Sequence, residues 1–250
     1  MRLVFVPHPP APARVSWLKD WTYAHRGLHG PGLVENSPRA FCAALEAGLG
    51  IECDIQRSRD GAAMVYHDWD FTRLHGRAET GDALDEADWR TLRYEGVDEG
   101  PFSLSDLLNL VAGRVPLLIE IKSRRGYDVE RSCAPVMAAL AGYRGLHAVM
   151  SFDPRVARWL RRHAPATVRG LVMREDGHGH TQQAWQRHLA LWIARPDFVA
   201  YHVKALPSAF AASLRHVGFP VLTWTVISPE TLANARAHAD APIAEGAGLP

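Results

Sequence analysis

A chain of 250 residues with 47% hydrophobic side chains is long enough to bury one large core. Its 28 basic and 27 acidic residues leave a net charge of +1, so there is no polyelectrolyte surface and no reason to expect nucleic acid as a partner. No apolar run reaches the roughly 18 residues of a spanning helix, which argues against stable membrane insertion.

Three cysteines, Cys42, Cys53 and Cys133, form no CxxC spacing. An odd count without that spacing disfavours both a disulfide framework and a structural zinc site, and points to a reducing, cytoplasmic compartment. The first residues, MRLVFVPHPPAPAR, carry four prolines and too short an apolar run for a signal peptide. Residues 1–20 are therefore expected as a Pro-rich arm, draped over the bottom of a single domain that runs from 1 to 250.

A regular alternation follows. WTYAH (21–25) reads as a strand, and SPRAFCAALEAG (37–48) as a helix with Ser37 as N-cap, Pro38 at its first position and Gly48 as its stop. GIECDI (50–55) and AAMVYH (62–67) read as strands joined by an Asp60-Gly61 hairpin. Residues 69–100 are polar and weakly periodic, an insertion rather than a second domain. LSDLLNLV (104–111) returns to helical spacing, and VPLLIEIK (115–122) is a continuous apolar run, expected as a strand covered on both faces. Helices are then expected over 128–143, 154–163, 181–194, 208–218 and 229–239. They alternate with strands over 147–152, 167–173, 197–203, 220–226 and 241–245. Eight or nine strands alternating with helices predict an α/β fold of the TIM (β/α)8 type rather than an open sheet.

In such a barrel the strand C-termini form the working face. His25 ends the first strand, His67 ends the strand after the hairpin, and Glu120 and Lys122 end the PLLIEIK run. A two-residue turn at Asp60-Gly61 would pair Arg59 with Ala62 and set Asp54 opposite His67. Glu52 shares the face of Asp54, and Lys122 that of Glu120, by the two-residue period, while Cys53 points away into packing. Three carboxylates on one concave face (Glu52, Asp54, Glu120) call for a cation, because like charges at close range cannot all stay ionised unaided. An all-oxygen ligand set favours one divalent ion, Mg²⁺ or Ca²⁺, over zinc. His25 and His67 suit an acid/base pair near neutral pH, and Arg26 and Lys122 suit an anionic oxygen. Metal, acid/base pair and anion clamp together describe phosphodiester chemistry.

The run HRG, EN, ExD, DG, HD and ExK, spread from His25 to Lys122, resembles the glycerophosphodiester phosphodiesterase family. The likeness extends to about Trp224, and its first 45 or so residues are the specific part. It implies a TIM barrel that hydrolyses a small-molecule glycerophosphodiester to glycerol 3-phosphate and an alcohol with a divalent metal. Carried over by motif, Glu52, Asp54 and Glu120 would bind metal, His25 and His67 would be base and acid, and Arg26 and Lys122 would hold phosphate. Glu35 and Asn36 match the family's EN pair and would lie at the edge of the site. The chain departs from the pattern at Ser37, where threonine is commoner, at Ile227, where asparagine follows WTV, and at Glu245 in the closing segment.

Two rivals are a lysophospholipase D-like enzyme, whose lipid tail would need an apolar groove, and a non-catalytic ligand-binding barrel. Trp224 reads equally as core or as a pocket wall. Lys204 reads as a surface lysine, RWLRRH (158–163) as a solvated helix face, and GHGH (177–180) as a polar loop rather than a metal tract. Gly27, Gly30 and Gly32 stand in the wrong order for GxGxxG, and no GxSxG, Walker A or HExxH motif is present.

Overall fold

A computed structural model of the chain describes residues 8–177 and 181–249. In chain order the elements are α1 (Pro12–Val15), β1 (Tyr23–Ala24), α2 (Pro38–Glu46), β2 (Gly50–Arg57) and β3 (Ala63–Val65). Then come β4 (Asp70–Phe71), α3 (Thr72–His75), β5 (Arg77–Thr80), α4 (Glu86–Thr91) and α5 (Leu104–Val111). The chain continues with β6 (Leu117–Ile121), α6 (Val129–Leu140), β7 (His147–Ser151), α7 (Pro154–His163), β8 (Val168–Met173) and α8 (Ala184–Ala194). It closes with β9 (Phe198–His202), α9 (Ala209–His216), β10 (Val221–Val226), α10 (Pro229–His238) and β11 (Ala241–Ala244). Leaving aside β3 and the β4–β5 ribbon, eight strands alternate with helices in the order of a TIM (β/α)8 barrel. Two compact units make up the chain, residues 24–147 and residues up to 23 together with 148–250.

Within 24–147, local sequence sets the element ends. Ser37 accepts a hydrogen bond from the Ala40 amide and Pro38 opens α2. Ser103 and Asp106 form a reciprocal capping box on α5. β2 pairs in parallel with β6, Glu52 beside Leu118 and Asp54 beside Glu120, and antiparallel with β3. That antiparallel register corrects the expected turn. Ile55 faces Val65 and Arg57 faces Ala63, and the Tyr66 amide bonds the Asp54 carbonyl. Asp54 therefore stands opposite Tyr66 rather than His67. The connection uses three residues, Arg59 to Gly61, because Ser58 closes it: the Ser58 amide bonds the Ala62 carbonyl and its hydroxyl accepts from the Ala62 amide. Gly61 takes φ +94°, the left-handed residue that such a three-residue loop requires.

The insertion has a core of its own. Phe71 and Trp89 meet edge-on at 4.6 Å, Tyr66 packs on both, and Leu92 and Tyr94 complete the cluster. The Trp89 indole donates to the Gly81 carbonyl at 2.9 Å. The sequence looked featureless here because these apolar residues come from several short elements, so no single helical or strand period links them.

In the other unit β7 to β11 are successive parallel neighbours. The arm is partly helical, and residues 1–7 lie outside the described residues. Arg14 donates to the carbonyls of Pro165, Ala166 and Thr167 and pairs with Asp197 at 3.1 Å. Those partners immediately precede β8 and β9, so Arg14 contacts the polypeptide at strand N-termini within its own unit.

Truncating Trp89 to alanine should cost about 3–5 kcal/mol of the stability of its unit, read from urea unfolding followed by circular dichroism. A loss under about 1 kcal/mol would mean that the insertion cluster carries little of the packing energy.

Candidate active site

The polypeptide between β1 and α2 is shaped by three consecutive constraints. Arg26 and Gly27 both take positive φ, +55° and +78°. A Cβ on Gly27 would come within 2.9 Å of the Ala40 backbone and 3.0 Å of the Phe41 ring, so only glycine fits there. The reversal lets the Arg26 amide donate to the Glu52 carboxylate at 3.0 Å, while its carbonyl accepts from the Asn36 amide at 2.9 Å. Asn36, also left-handed at φ +54°, is 1% exposed and grips Asp54 at both ends. Its Nδ2 donates to the Asp54 carboxylate at 3.0 Å and its Oδ1 accepts from the Asp54 amide at 3.3 Å.

Around that frame the three acids converge. Glu52 and Asp54 project from one face of β2, and Glu120 stands beside Asp54 on β6. All three are buried, and their ligand oxygens lie within 4.8 Å of one another. Lys122 bridges the Asp54 and Glu120 carboxylates at 3.0 Å each, and Arg26 Nε lies 3.2 Å from Asp54. For Asp54 burial alone would favour the neutral acid. Lys122 outweighs it, aided by His67, Arg26 and His25, and holds the carboxyl well below its usual range. Burial acts against the charged form of Lys122 too, but Asp54 and Glu120 keep it firmly protonated. Glu52 goes the other way. Burial, then the neighbouring Asp54 and Glu120, push it well above the ordinary carboxylate range, and Arg26 only partly compensates.

This imbalance is what a cation would relieve. The donor set is all oxygen, the site is buried, and the three oxygens lie within 4.8 Å of one another, close enough to share one ion with metal–oxygen distances of about 2.4 Å. Glu52, Asp54 and Glu120 can therefore hold a hard divalent ion.

The histidines lie where the strand ends place them. His25 directly follows β1 and His67 lies two residues beyond β3, and both act electrostatically on Asp54. His67 Nδ1 meets Asp68 Oδ1 at 2.6 Å, and Gln56 donates to the carbonyls of His67 at 3.2 Å and Asp68 at 2.8 Å. Arg73, from α3 in the insertion, donates to the other Asp68 oxygen at 2.7 Å and to both oxygens of Glu35. Glu35 also pairs with Arg26 at 2.8 Å. Burial would raise the Glu35 pKa, but Arg73, with Arg26 and His67, keeps it lowered. The EN pair is thus structural support for Arg26 and Asp54.

Sequence reasoning missed Gln56, Asp68 and Arg73. Asp68 could have been found from its adjacency to His67. Arg73 lies in the insertion, and nothing in the sequence links it to Glu35. Trp224 belongs to the 148–250 unit, where its ring packs on Phe152 at 5.2 Å and His202 at 4.9 Å and its indole donates to the Ala200 carbonyl. In that unit Ile227 and Lys204 are exposed, and the Glu245 amide bonds the Val226 carbonyl. Of the GHGH tract, residues 178–180 lie outside the described residues.

A barrel with a buried acidic cluster and two histidines at the strand ends defines a class of TIM-barrel protein suited to metal-assisted chemistry on an anion. Residues 25–241 match the model of the glycerophosphoryl diester phosphodiesterase family, and the chain belongs to that family. A stretch of 88 residues is 38% identical to a Mycobacterium tuberculosis protein named "Probable glycerophosphodiester phosphodiesterase 2". That match covers 34% of this chain and 32% of the relative, so it spans about a third of the relative's length. A Silicibacter pomeroyi structure superposes with a TM-score of 0.81 at 22% identity over 94% of this chain and 95% of its own. An Oleispira antarctica phosphodiesterase, solved in complex with the product sn-glycerol-3-phosphate, superposes with a TM-score of 0.77 at 20% identity, covering 90% and 92% of the two chains. At these identities the two structures share its fold.

The Glu52 shift has a measurable consequence. Its folded pKa lies above its unfolded value, so the folded chain holds that proton more tightly, and the associated stability is lost as pH rises through the folded value. A cation that takes the proton's place competes with it less at high pH. The rise in Tm on adding Mg²⁺ or Ca²⁺ should therefore be larger at about pH 8 than at about pH 5. A rise that shrinks with pH would contradict a carboxylate-held ion.

Proposed function

We propose that this chain hydrolyses glycerophosphodiesters to glycerol 3-phosphate and an alcohol, using one divalent metal ion, Mg²⁺ or Ca²⁺. The observation that carries the reading is the buried trio Glu52, Asp54 and Glu120 with converging oxygens, flanked by two histidines and two cations. The product-bound Oleispira antarctica relative supports the choice of substrate. Family membership supports the reaction class.

Each residue has a part that its surroundings allow. Glu52, Asp54 and Glu120 would hold the ion, which supplies Lewis-acid polarisation of a phosphoryl oxygen. Lys122 spends two of its three N–H donors on Asp54 and Glu120 and directs its remaining donor to a phosphate oxygen. Arg26, held by Glu35 and Asp54, presents the rest of its guanidinium to the same anion. Asp68 engages His67 Nδ1, which leaves Nε2 as the atom that delivers a proton to the departing alcohol oxygen. His25 takes the proton from the attacking oxygen, that of water or of the substrate's own glycerol hydroxyl, and in the second case water then opens the cyclic phosphodiester. Arg73 fixes Asp68 and Glu35 together, so the insertion would contribute to the orientation of the acid. Three free cysteines, one partly and two fully buried, agree with a cytoplasmic setting.

The direct test is release of glycerol 3-phosphate from glycerophosphocholine and glycerophosphoethanolamine, in EDTA and with Mg²⁺ or Ca²⁺ restored. Release that requires the ion is expected. No release from these, from lysophospholipids or from a wider diester panel would favour a non-catalytic barrel.

Replacing His25 or His67 by alanine should lower kcat by about 10²–10⁴ with the ion still bound, whereas Glu52→Gln should weaken ion affinity first. Asp68→Asn leaves the geometry but removes the charge behind His67, and should lower kcat at least about tenfold with KM little changed. Wild-type turnover in Asp68→Asn would separate Asp68 from the proton transfer.

A further inference from the structure

Helix α8 is apolar on two sides. Its inner side, Arg187, Ala190, Leu191 and Ala194, is buried. Its outer side presents Trp185, Leu189 and Trp192, which are 64%, 45% and 53% exposed. Their i, i+4, i+7 spacing puts them on one stripe. Five large hydrophobic side chains are exposed among the described residues, and three of them are on this stripe. Scattered exposed leucines need no explanation, but two tryptophans and a leucine in register do.

Helix α7 packs along α8 in the same unit. Between them the two helices carry five arginines, Arg155, Arg158, Arg161, Arg162 and Arg187, and no Asp or Glu, in a chain whose net charge is only +1. Arg155 is matched by Asp153, and Arg187 is buried against Glu175. Asp176, the other acid shortly before α8, pairs with Arg174. Arg158 and Arg162 stand exposed, and no carboxylate among the described residues pairs with either.

Two exposed indoles on one helix and two exposed, unmatched guanidinium groups on the helix packed along it are the chemistry of a bilayer interface. Tryptophan settles at headgroup level, with its apolar body in the acyl boundary and its N–H in the polar layer. Arginine lays its stem along the apolar surface and pairs its planar head with phosphate. We propose that the α7–α8 face adsorbs reversibly onto anionic phospholipid bilayers through Trp185, Leu189, Trp192, Arg158 and Arg162. The charge of the face selects this occupant: a second copy meeting it two-fold would bring the same acid-free face against itself, whereas an anionic bilayer neutralises it. No helix among the described residues is long and apolar enough to cross a membrane, so contact through this face is superficial. The proposal is independent of the catalytic reading.

The experiment is co-sedimentation of the full chain with vesicles of phosphatidylcholine alone, or with about 30% phosphatidylglycerol, followed by tryptophan emission. Anionic vesicles should bind on the order of tenfold more tightly, with a blue-shifted emission, and should release the protein at about 0.5 M salt. Trp185→Ser with Trp192→Ser should abolish the blue shift. Arg158→Gln with Arg162→Gln should erase the preference for anionic vesicles. Both variants are checked for an unchanged circular dichroism spectrum and melting curve. If the tryptophan pair does not fold, the arginine pair alone decides. Absence of binding to anionic vesicles, or equal binding by a folded variant, overturns the proposal. So does a concentration-dependent dimer in sedimentation velocity that the tryptophan variant abolishes, without vesicle binding by the wild type, because it assigns the face to a second copy.

Discussion

Three buried carboxylates repel one another, and most of the local architecture of residues 24–122 answers that repulsion. Asp54 stays ionised because Lys122, Arg26 and Asn36 close on it from three directions. Glu120 shares Lys122, and Glu52 is left with one backbone N–H from Arg26. The cost of burying charge is thus met unevenly, and the uneven remainder falls on Glu52. A site in which every acid had its own cation would have little left to offer an ion. Here the unmet charge falls on Glu52 beside the other two acids, and the positive φ values at Arg26 and Asn36 set the backbone that holds the group together.

The support extends outward in a second ring of ion pairs. Glu35 joins Arg26 to Arg73, and Arg73 joins Glu35 to Asp68, which holds His67. Arg73 is half exposed, so each of its pairs taken singly contributes modestly to stability. Their value lies in geometry: an arginine fork on two carboxylates fixes angles that a single hydrogen bond leaves loose. This links the insertion to His67, since α3 brings Arg73 and the aromatic cluster around Trp89 holds α3. The insertion therefore reads as part of the site's scaffold rather than as an appendage.

Charge elsewhere on the chain is distributed to other ends. In the 148–250 unit Arg14, Arg169 and Asp197 tie the N-terminal arm to the starts of β8 and β9. On α7, Arg158 and Arg162 have no such acid partner among the described residues, and the neighbouring α8 turns tryptophans outward. A net charge near zero conceals both arrangements, because it sums over faces that are chemically unlike.

The residues by themselves determined the alternation of strands and helices, from Ser37 and Ser103 at helix starts to the apolar run of β6, since capping and periodicity act over a few positions. They also determined which groups converge: Glu52 and Asp54 share a strand face by simple alternation, and Lys122 follows Glu120 by the same rule. What they could not settle was register. A loop of three residues in place of two moved the partner of Asp54 from His67 to Tyr66, and the decision rested on hydrogen bonds of Ser58 that compete closely with a two-residue turn. Tertiary structure alone decided that Arg73 reaches Glu35 across 38 positions and that Trp89 is core. It alone decided that Trp185 and Trp192 are not. Helical spacing shows that side chains share a face, but whether that face meets a neighbouring element or water depends on contacts distant in sequence.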